Sequence, residues 1–427
     1  MKKGNLHPLL FAFFSFLLLF HIMLFWRAKD DALKGGADLS SFYAAVKMVQ
    51  GGQGSRLYNV ATQGHYQSAL FPGVTTRSGT LLYLHPPFET LLYLPLAYIS
   101  YPAAYGVWLI TNILLLLLIV FLLLPYMTEL KATWSPLPVL LFVGFFPVFI
   151  DLLQGQDSIW LLLVFALAFD SLKKTNALRG GIFLGLGLFK FQYVLPFLLP
   201  FVVWRRWKVV GGFAISGAVL LLLSLPIAGI QGILSYAAFL FGLTRVLSSQ
   251  HIQNVVGILS NTMPNIHGIV EMAVPNLLHS LIQKLAVALL SGMAILWAVV
   301  KWPLHRSLSE ADFDLGFSLA LVVSILVSYH LLLHDLSLLL IPFVLVLNRM
   351  AKSEIFAGRW RLPVYALIAL FYLSPIYLLL MRRGLMYLFF WPILLFLVML
   401  SRELILHANR SKEPGYDNVV DPLAKAT

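Results

Sequence analysis

The residues equipped for chemistry in this chain stand out because their surroundings are apolar: 60% of residues are hydrophobic and only 11% are charged. An ionisable group inside or beside an apolar run is costly, so its presence points to function. Asp38 opens the stretch Asp38-Leu39-Ser40-Ser41-Phe42-Tyr43-Ala44-Ala45-Val46-Lys47-Met48-Val49-Gln50-Gly51. Leu39, Phe42, Tyr43, Val46 and Val49 fall on one helical face, as an amphipathic helix resting in the membrane interface would arrange them. Asp38 stands where an N-cap belongs and Gly51 where a helix would stop. Capping is one reading of Asp38. The other is a general base: a carboxylate at headgroup depth can take the proton of a hydroxyl as that oxygen forms a new bond. The two roles are compatible. Lys190, within Gly185-Leu186-Gly187-Leu188-Phe189-Lys190-Phe191-Gln192, is either a lysine snorkelling at a helix break or a cation for a phosphate. Gln154-Gly155-Gln156-Asp157 joins two apolar runs, as a plain polar turn or as part of a site. Ser328-Tyr329-His330-Leu331-Leu332-Leu333-His334-Asp335 is denser. His330 and His334 share a face if the helix continues, and the spacing invites zinc. A zinc site wants a third protein ligand, however, and the Glu of a His-Glu-x-x-His motif is absent. Phosphate binding by the histidines, with Asp335 holding a ring or capping the next helix, fits better. No metal and no cofactor is expected.

Membrane helices must position these residues. Apolar runs near the roughly 20 residues that cross a bilayer recur at about 9–26, 104–124, 136–152, 158–170, 209–227, 282–300, 315–333, 335–347, 362–380 and 385–401. They are continuously apolar rather than alternating, which selects helices over a β-barrel. The chain has no cysteine, which excludes disulfides, iron–sulfur clusters and thiolate-bound zinc. Its net charge of +12 suits basic loops facing anionic headgroups; without a basic soluble domain, nucleic acid is not an expected partner. The run at 9–26 is longer than a signal-peptide core and no small-residue cleavage site follows, so it reads as a retained first membrane helix.

The positive-inside rule places Lys173-Lys174, residues 204–208, 301–306 and 349–361, and both termini, in the cytoplasm. Residues 179–203 then begin and end on that side but are too short for two full crossings. A broken or re-entrant hairpin follows, with Lys190 near its apex. The stretch 81–100, interrupted by Pro86, Pro87 and Pro95, either stops partway or one of its neighbours does. The expectation is an all-α integral membrane protein of about 11–13 membrane segments, with long external loops at about 27–80 and 228–280 that contain interfacial helices. Residues 1–407 form one membrane domain and 408–427 a disordered cytoplasmic tail.

Five stretches together carry a family resemblance. They are Asp38-Leu39-x-x-Phe42-Tyr43-Ala44-Ala45 with Gly51 and Leu57-Tyr58; Leu84-His85-Pro86-Pro87-Phe88; Gly155-Gln156-Asp157; Gly185 to Gln192; and Met263-Pro264-Asn265-Ile266-His267-Gly268 with His330, His334 and Asp335. Their order and spacing resemble glycosyltransferase family 87, the polyprenyl-phosphate-sugar-dependent, mannosyltransferase-like enzymes of the GT-C superfamily. The chain departs from the pattern at His85, where an aromatic residue is more usual, and at Tyr329, where proline is commoner. The resemblance implies a GT-C fold with the active site on the extracytoplasmic face of the plasma (inner) membrane. It implies an inverting transfer of a hexose, mannose first, from a polyprenyl-phosphate donor to a hydroxyl of a lipid or glycan acceptor. It makes Asp38 the base and His330 or His334 the contact to the donor phosphate; with the intramembrane lysine counted from its own position, the expected order at the phosphate is His330, then Lys190, then His334. Gln156, Asp157, Asn265, Asp335 and Tyr43 complete the expected substrate site. The site is expected as an external cavity wide enough for a lipid, bordered by the first loop, the 155–157 turn and the 228–280 loop. A transporter or lipid flippase is the alternative, since it shares the broken hairpin and the buried lysine; it would gather its polar groups near the midplane rather than at the external interface.

Overall fold

The computed structural model describes residues 6–74, 80–246, 259–273, 280–304, 308–356 and 358–410. Among these the chain is helical with no β-strand. Beyond residue 410 the expected tail lies outside the described residues. Helix α1 (Leu6–Asp31) has 26 residues, about 39 Å at 1.5 Å per residue, enough to cross a bilayer core of about 30 Å. Phe11, Phe16, Leu19 and Trp26 are exposed along it while Phe14 and Leu17 are buried. A wide turn at Ala32–Gly36, in which Gly35 has φ 101°, leads into α2 (Leu39–Gln50). Helix α2 does not present its apolar face outward but is covered by protein: Leu39 to Val46 are all buried, against Tyr83, Tyr93 and Tyr105. Next comes the proline-interrupted stretch. Pro87–Glu89, Thr90–Tyr93 and Leu94–Tyr98 are single turns, so this segment stops partway and does not span.

Helix α3 (Tyr101–Leu123) is long and apolar enough to cross fully. Leu137–Val143 and α4 (Phe146–Gln154) form a pair bent by 54°. Helix α4 ends at Gly155, whose φ of 64° only glycine adopts freely. A Cβ there would lie 2.8 Å from that of Leu39, so this turn is seated on the start of α2. The chain then enters α5 (Ser158–Lys173), α6 (Ala177–Leu186), a tight turn at Gly187–Lys190, and α7 (Phe191–Val203). By length and apolarity alone, 177–203 would cross once. It turns back instead. Helix α6 runs parallel to α8 (Trp207–Val246): Gly181 abuts Val209, Gly185 abuts Phe213 and Ser216, and Leu188 abuts Gly217. Two parallel neighbours joined by α7 require α7 to return, which gives the expected hairpin with Lys190 at its tip. The glycines set the close approach, since a Cβ at Gly181 would fall within contact of the Val209 backbone.

The remaining chain adds α9 (Glu310–Val327), a turn at Leu333–Leu339, α10 (Leu340–Ala351) and α11 (Phe390–Arg410). Among the described residues seven helical stretches are long and apolar enough to span, and nine if each of two bent pairs is one span. Three features separate nine from the expected 11–13. Helix α5 has only 16 residues, α9 carries Glu310, Asp312 and Asp314, and the hairpin is counted once. Large apolar side chains such as Ile110, Phe121, Leu222, Leu289 and Trp391 are exposed around the molecule, as a lipid-facing belt requires. The protein is an all-α integral membrane protein.

The polar groups collect at two opposite ends. At one, Asp314 binds Lys173 and Arg349, each at 2.6 Å, and Arg349 also holds Glu354 at 2.7 Å. Lys173, Ala177, Arg206 and Leu304 line one cavity of about 440 Å³ there, so the basic loops lie on a common face. The other end, one length of α5 away, holds Asp38, Asp157, Lys190 and His330.

Candidate active site

The start of α5 is the centre around which this second end is built. Asp157 precedes it, and Asp151 of α4 reaches over to accept from the Ser158 backbone N–H at 2.9 Å. Lys190 arrives at the hairpin tip and is 3% exposed. Its ammonium donates to Ser158 Oγ at 2.7 Å and to Asp335 Oδ1 at 2.6 Å, and lies 2.6 Å from Asp157 Oδ1. Asp335 also accepts from Ser158 Oγ at 2.8 Å and, through Oδ2, from the Leu332 N–H at 3.0 Å. Lys190 is therefore a buried clamp between two carboxylates, and the snorkelling reading does not hold. A phosphate would meet its charge across groups already bound to it.

Asp38 stands at the N-cap position of α2 but makes no side-chain cap bond. Its Oδ2 instead accepts from Gln156 Nε2 at 2.7 Å, and its backbone N–H donates to Gln154 Oε1 at 3.2 Å. The carboxylate is thus held by the 154–157 turn and turned away from its own helix. Gln156, Lys190, His330, His334 and Asp335 line one cavity, which Tyr236 of α8 also borders. Asp38 and His330 consequently belong to the same end of the molecule. The cavity measures about 60 Å³, so it holds a headgroup fragment or a few waters and not the lipid chain expected of it.

His330 and His334 do not share a helical face. Helix α9 ends at Val327 and the next turn starts at Leu333, leaving 328–332 irregular. The loop is anchored by Asn265, which donates to the Ser328 carbonyl at 2.6 Å, and by His267, whose Nδ1 meets the Tyr329 carbonyl at 2.8 Å. Tyr193 donates to the His330 carbonyl at 3.0 Å. The His330 Nε2 is buried without a partner, and burial pushes its pKa down to about 4. It is a neutral ring in the cavity wall. His334 Nε2 lies 3.6 Å from Asp335 Oδ1, a contact rather than a hydrogen bond.

Two expected site residues have other tasks. Tyr43 donates to the Ile99 carbonyl at 2.7 Å and packs on Phe71 and Tyr101, away from the cavity, because it lies on the covered face of α2. Asn265 spends its amide on Ser328 and its carbonyl on the Gly268 N–H at 2.8 Å, so it positions the His330 loop without lining the cavity. Two further residues enter the site. His85 lines the cavity, and its Nδ1 lies 2.6 Å from Glu89 Oε2 and 3.5 Å from Asp157 Oδ2. Burial holds the His85 imidazole down near 4, while burial and the neighbouring Asp157 push the Glu89 carboxyl well up. His85 was visible in the sequence only as a departure from the family pattern. Glu89 carries a signal in the sequence itself: an acid in an otherwise apolar, proline-broken stretch.

A family model described as glycosyltransferase family 87 matches residues 83–328, more than half of the chain. No curated protein and no solved structure matches it.

Proposed function

From the premise that the chain belongs to glycosyltransferase family 87, we propose that it transfers a hexose, mannose first, from a polyprenyl-phosphate donor to an acceptor hydroxyl on a lipid or glycan. The site faces the extracytoplasmic side of the plasma membrane, with both termini in the cytoplasm. One observation carries this reading. The Asp38 carboxylate is freed from helix capping and held by Gln156 at the edge of a cavity that also contains His330 and His334. In an inverting transfer, Asp38 takes the proton of the acceptor hydroxyl while that oxygen bonds to the anomeric carbon. The bond from that carbon to the phosphate oxygen breaks on the opposite face, and the electron pair leaves with the phosphate. His330, unpartnered at Nε2, is the first candidate to donate to that phosphate. His334 follows, and Lys190 acts through its charge while holding Asp157 and Asp335 in place. The polar groups gather at one end of α5 and not halfway along it, which favours an enzyme over a transporter or flippase.

The test is turnover on a panel of polyprenyl-phosphate sugars by the purified protein and by Asp38→Asn. Asn preserves shape and helix-start preference but cannot take a proton, so turnover falls by about two to four orders of magnitude while the protein stays folded. Wild-type turnover in the variant removes Asp38 from the mechanism.

A further inference from the structure

The transfer reading leaves His85, Glu89 and Asp157 without a task, yet their ligating atoms all lie within 4.8 Å of one another. Glu89 is 1% exposed and Asp157 0%. Asp157 Oδ1 faces Lys190 at 2.6 Å, whereas both Glu89 oxygens, Asp157 Oδ2 and His85 Nδ1 are buried with no hydrogen bond of good geometry. Three buried ligating groups thus converge at one point, His85 Nδ1 only 2.6 Å from Glu89 Oε2, so that a shared proton or a cation must lie between them. The charge balance is equally one-sided. Asp151, Glu89, Asp157 and Asp335 are all buried around this spot, and Lys190 is the one basic side chain among them that is always charged. Asp335 has Lys190, Ser158 and the Leu332 N–H, and Asp151 has the Ser158 N–H. Glu89 and the outer oxygen of Asp157 have only the His85 imidazole, at 2.6 and 3.5 Å. Buried carboxylates in this position are paired, protonated or bound to metal.

We propose that His85, Glu89 and Asp157 bind one divalent cation, with an open coordination position facing the cavity beside His330. One imidazole nitrogen and two carboxylate oxygens form a mixed set that suits Zn²⁺ or Mn²⁺. Bonds of about 2.0–2.2 Å place tetrahedral or octahedral ligand atoms roughly 3.0–3.5 Å apart. The His85–Asp157 separation of 3.5 Å already fits, and the 2.6 Å between His85 and Glu89 needs a small opening. The surroundings hold these groups as outer partners of a metal should. Lys190 occupies Asp157 Oδ1 and leaves Oδ2 turned to His85. Tyr58 donates to the His85 carbonyl at 2.8 Å, and Phe42 packs edge-on against its ring at 5.0 Å. Pro87 at the head of its turn fixes the backbone that presents Glu89. His85 borders the cavity with its side chain 20% exposed while its Nδ1 is covered, so a shift of this one ring opens the ion to an exchangeable ligand. If the transfer reading is right, that ligand is an oxygen of the donor phosphate, and the ion shares with His330 the charge that develops on it.

The experiment uses the full chain in detergent micelles, stripped with a chelator and titrated with Mn²⁺. Free Mn²⁺ is read by electron paramagnetic resonance, and Zn²⁺ is added to displace it. The expected result is one Mn²⁺ per chain, released by one equivalent of Zn²⁺, with a metal-dependent rise in thermal midpoint. Glu89→Gln and His85→Gln are each expected to weaken binding at least a hundredfold and to abolish that rise. Glu89→Gln imitates a protonated Glu89, so it stays folded if this residue is merely a neutral buried acid. Absence of Mn²⁺ uptake, absence of Zn²⁺ retention, or stoichiometric uptake unchanged in both variants overturns the site. No sugar donor is present in these measurements. A metal site without transferase turnover refutes the transfer reading alone, and turnover without a metal refutes the site alone.

Discussion

Lys190→Met tests the clamp on which the site geometry depends. The ammonium lies 2.6 Å from both Asp157 and Asp335 and is 3% exposed. Methionine matches its length and removes its charge, leaving two buried carboxylates facing each other at the wall of a small cavity. Breaking a buried pair by removing one partner costs about 3–5 kcal/mol, because the remaining charge loses its counter-ion. Here two carboxylates are left, which places the expectation in the upper part of that range. Adding Asp335→Asn removes one stranded charge while keeping an acceptor for Ser158 and the Leu332 N–H, so the double variant should recover about 1–3 kcal/mol. The assay is reversible unfolding in mixed micelles followed by tryptophan fluorescence, with the wild type, both single variants and the double variant forming a cycle. If Lys190→Met unfolds within about 0.5 kcal/mol of the wild type, or if the double variant is no better than the single, the clamp does not exist as described.

Gln156→Ala removes the 2.7 Å bond that aims Asp38; losing a hydrogen bond to a charged group, about 1.5–3 kcal/mol, should slow turnover roughly ten- to hundredfold. Unchanged turnover would show that Asp38 needs no such support. Gly155→Ala imposes a side chain at φ 64° and 2.8 Å from Leu39, so it should destabilise the protein by at least about 1–2 kcal/mol and lower turnover by displacing the start of α2. A thermal midpoint equal to that of the wild type counts against the seated turn. His330 is held near pKa 4 by burial, below the unfolded value of about 6.5. Between these values the unfolded chain binds more protons, so stability falls as pH drops from about 6.5 to 4. His330→Gln should flatten part of that slope, and a bound donor phosphate should raise the pKa and reverse its sign. An identical pH–stability curve in the variant would contradict the burial of a neutral ring.

Much of this architecture is written locally. Long apolar runs have no alternative to helix in lipid, and basic residues at both ends of 179–203 already required the chain to turn at Lys190. Pro86, Pro87 and Pro95 remove the backbone donors a spanning helix needs, which is why 81–100 stops short. The chain also named Asp38, Lys190, His330 and Asp335 by the cost of placing ionisable groups among apolar ones. It did not say what would cover α2. A helical apolar face is the same pattern whether lipid headgroups or protein pack on it, so α2 is buried and Tyr43 turns to Ile99 instead of the cavity. Nor could it say which polar group meets which. Asp38 is drawn off its cap by Gln156, 118 positions away, and Lys190 reaches Asp335 across 145. Glu89 became part of the site only when Asp157 was folded beside it. Local propensity depends on neighbours in sequence, whereas the state of a buried charge depends on neighbours in space, and those exist only once the helices have packed.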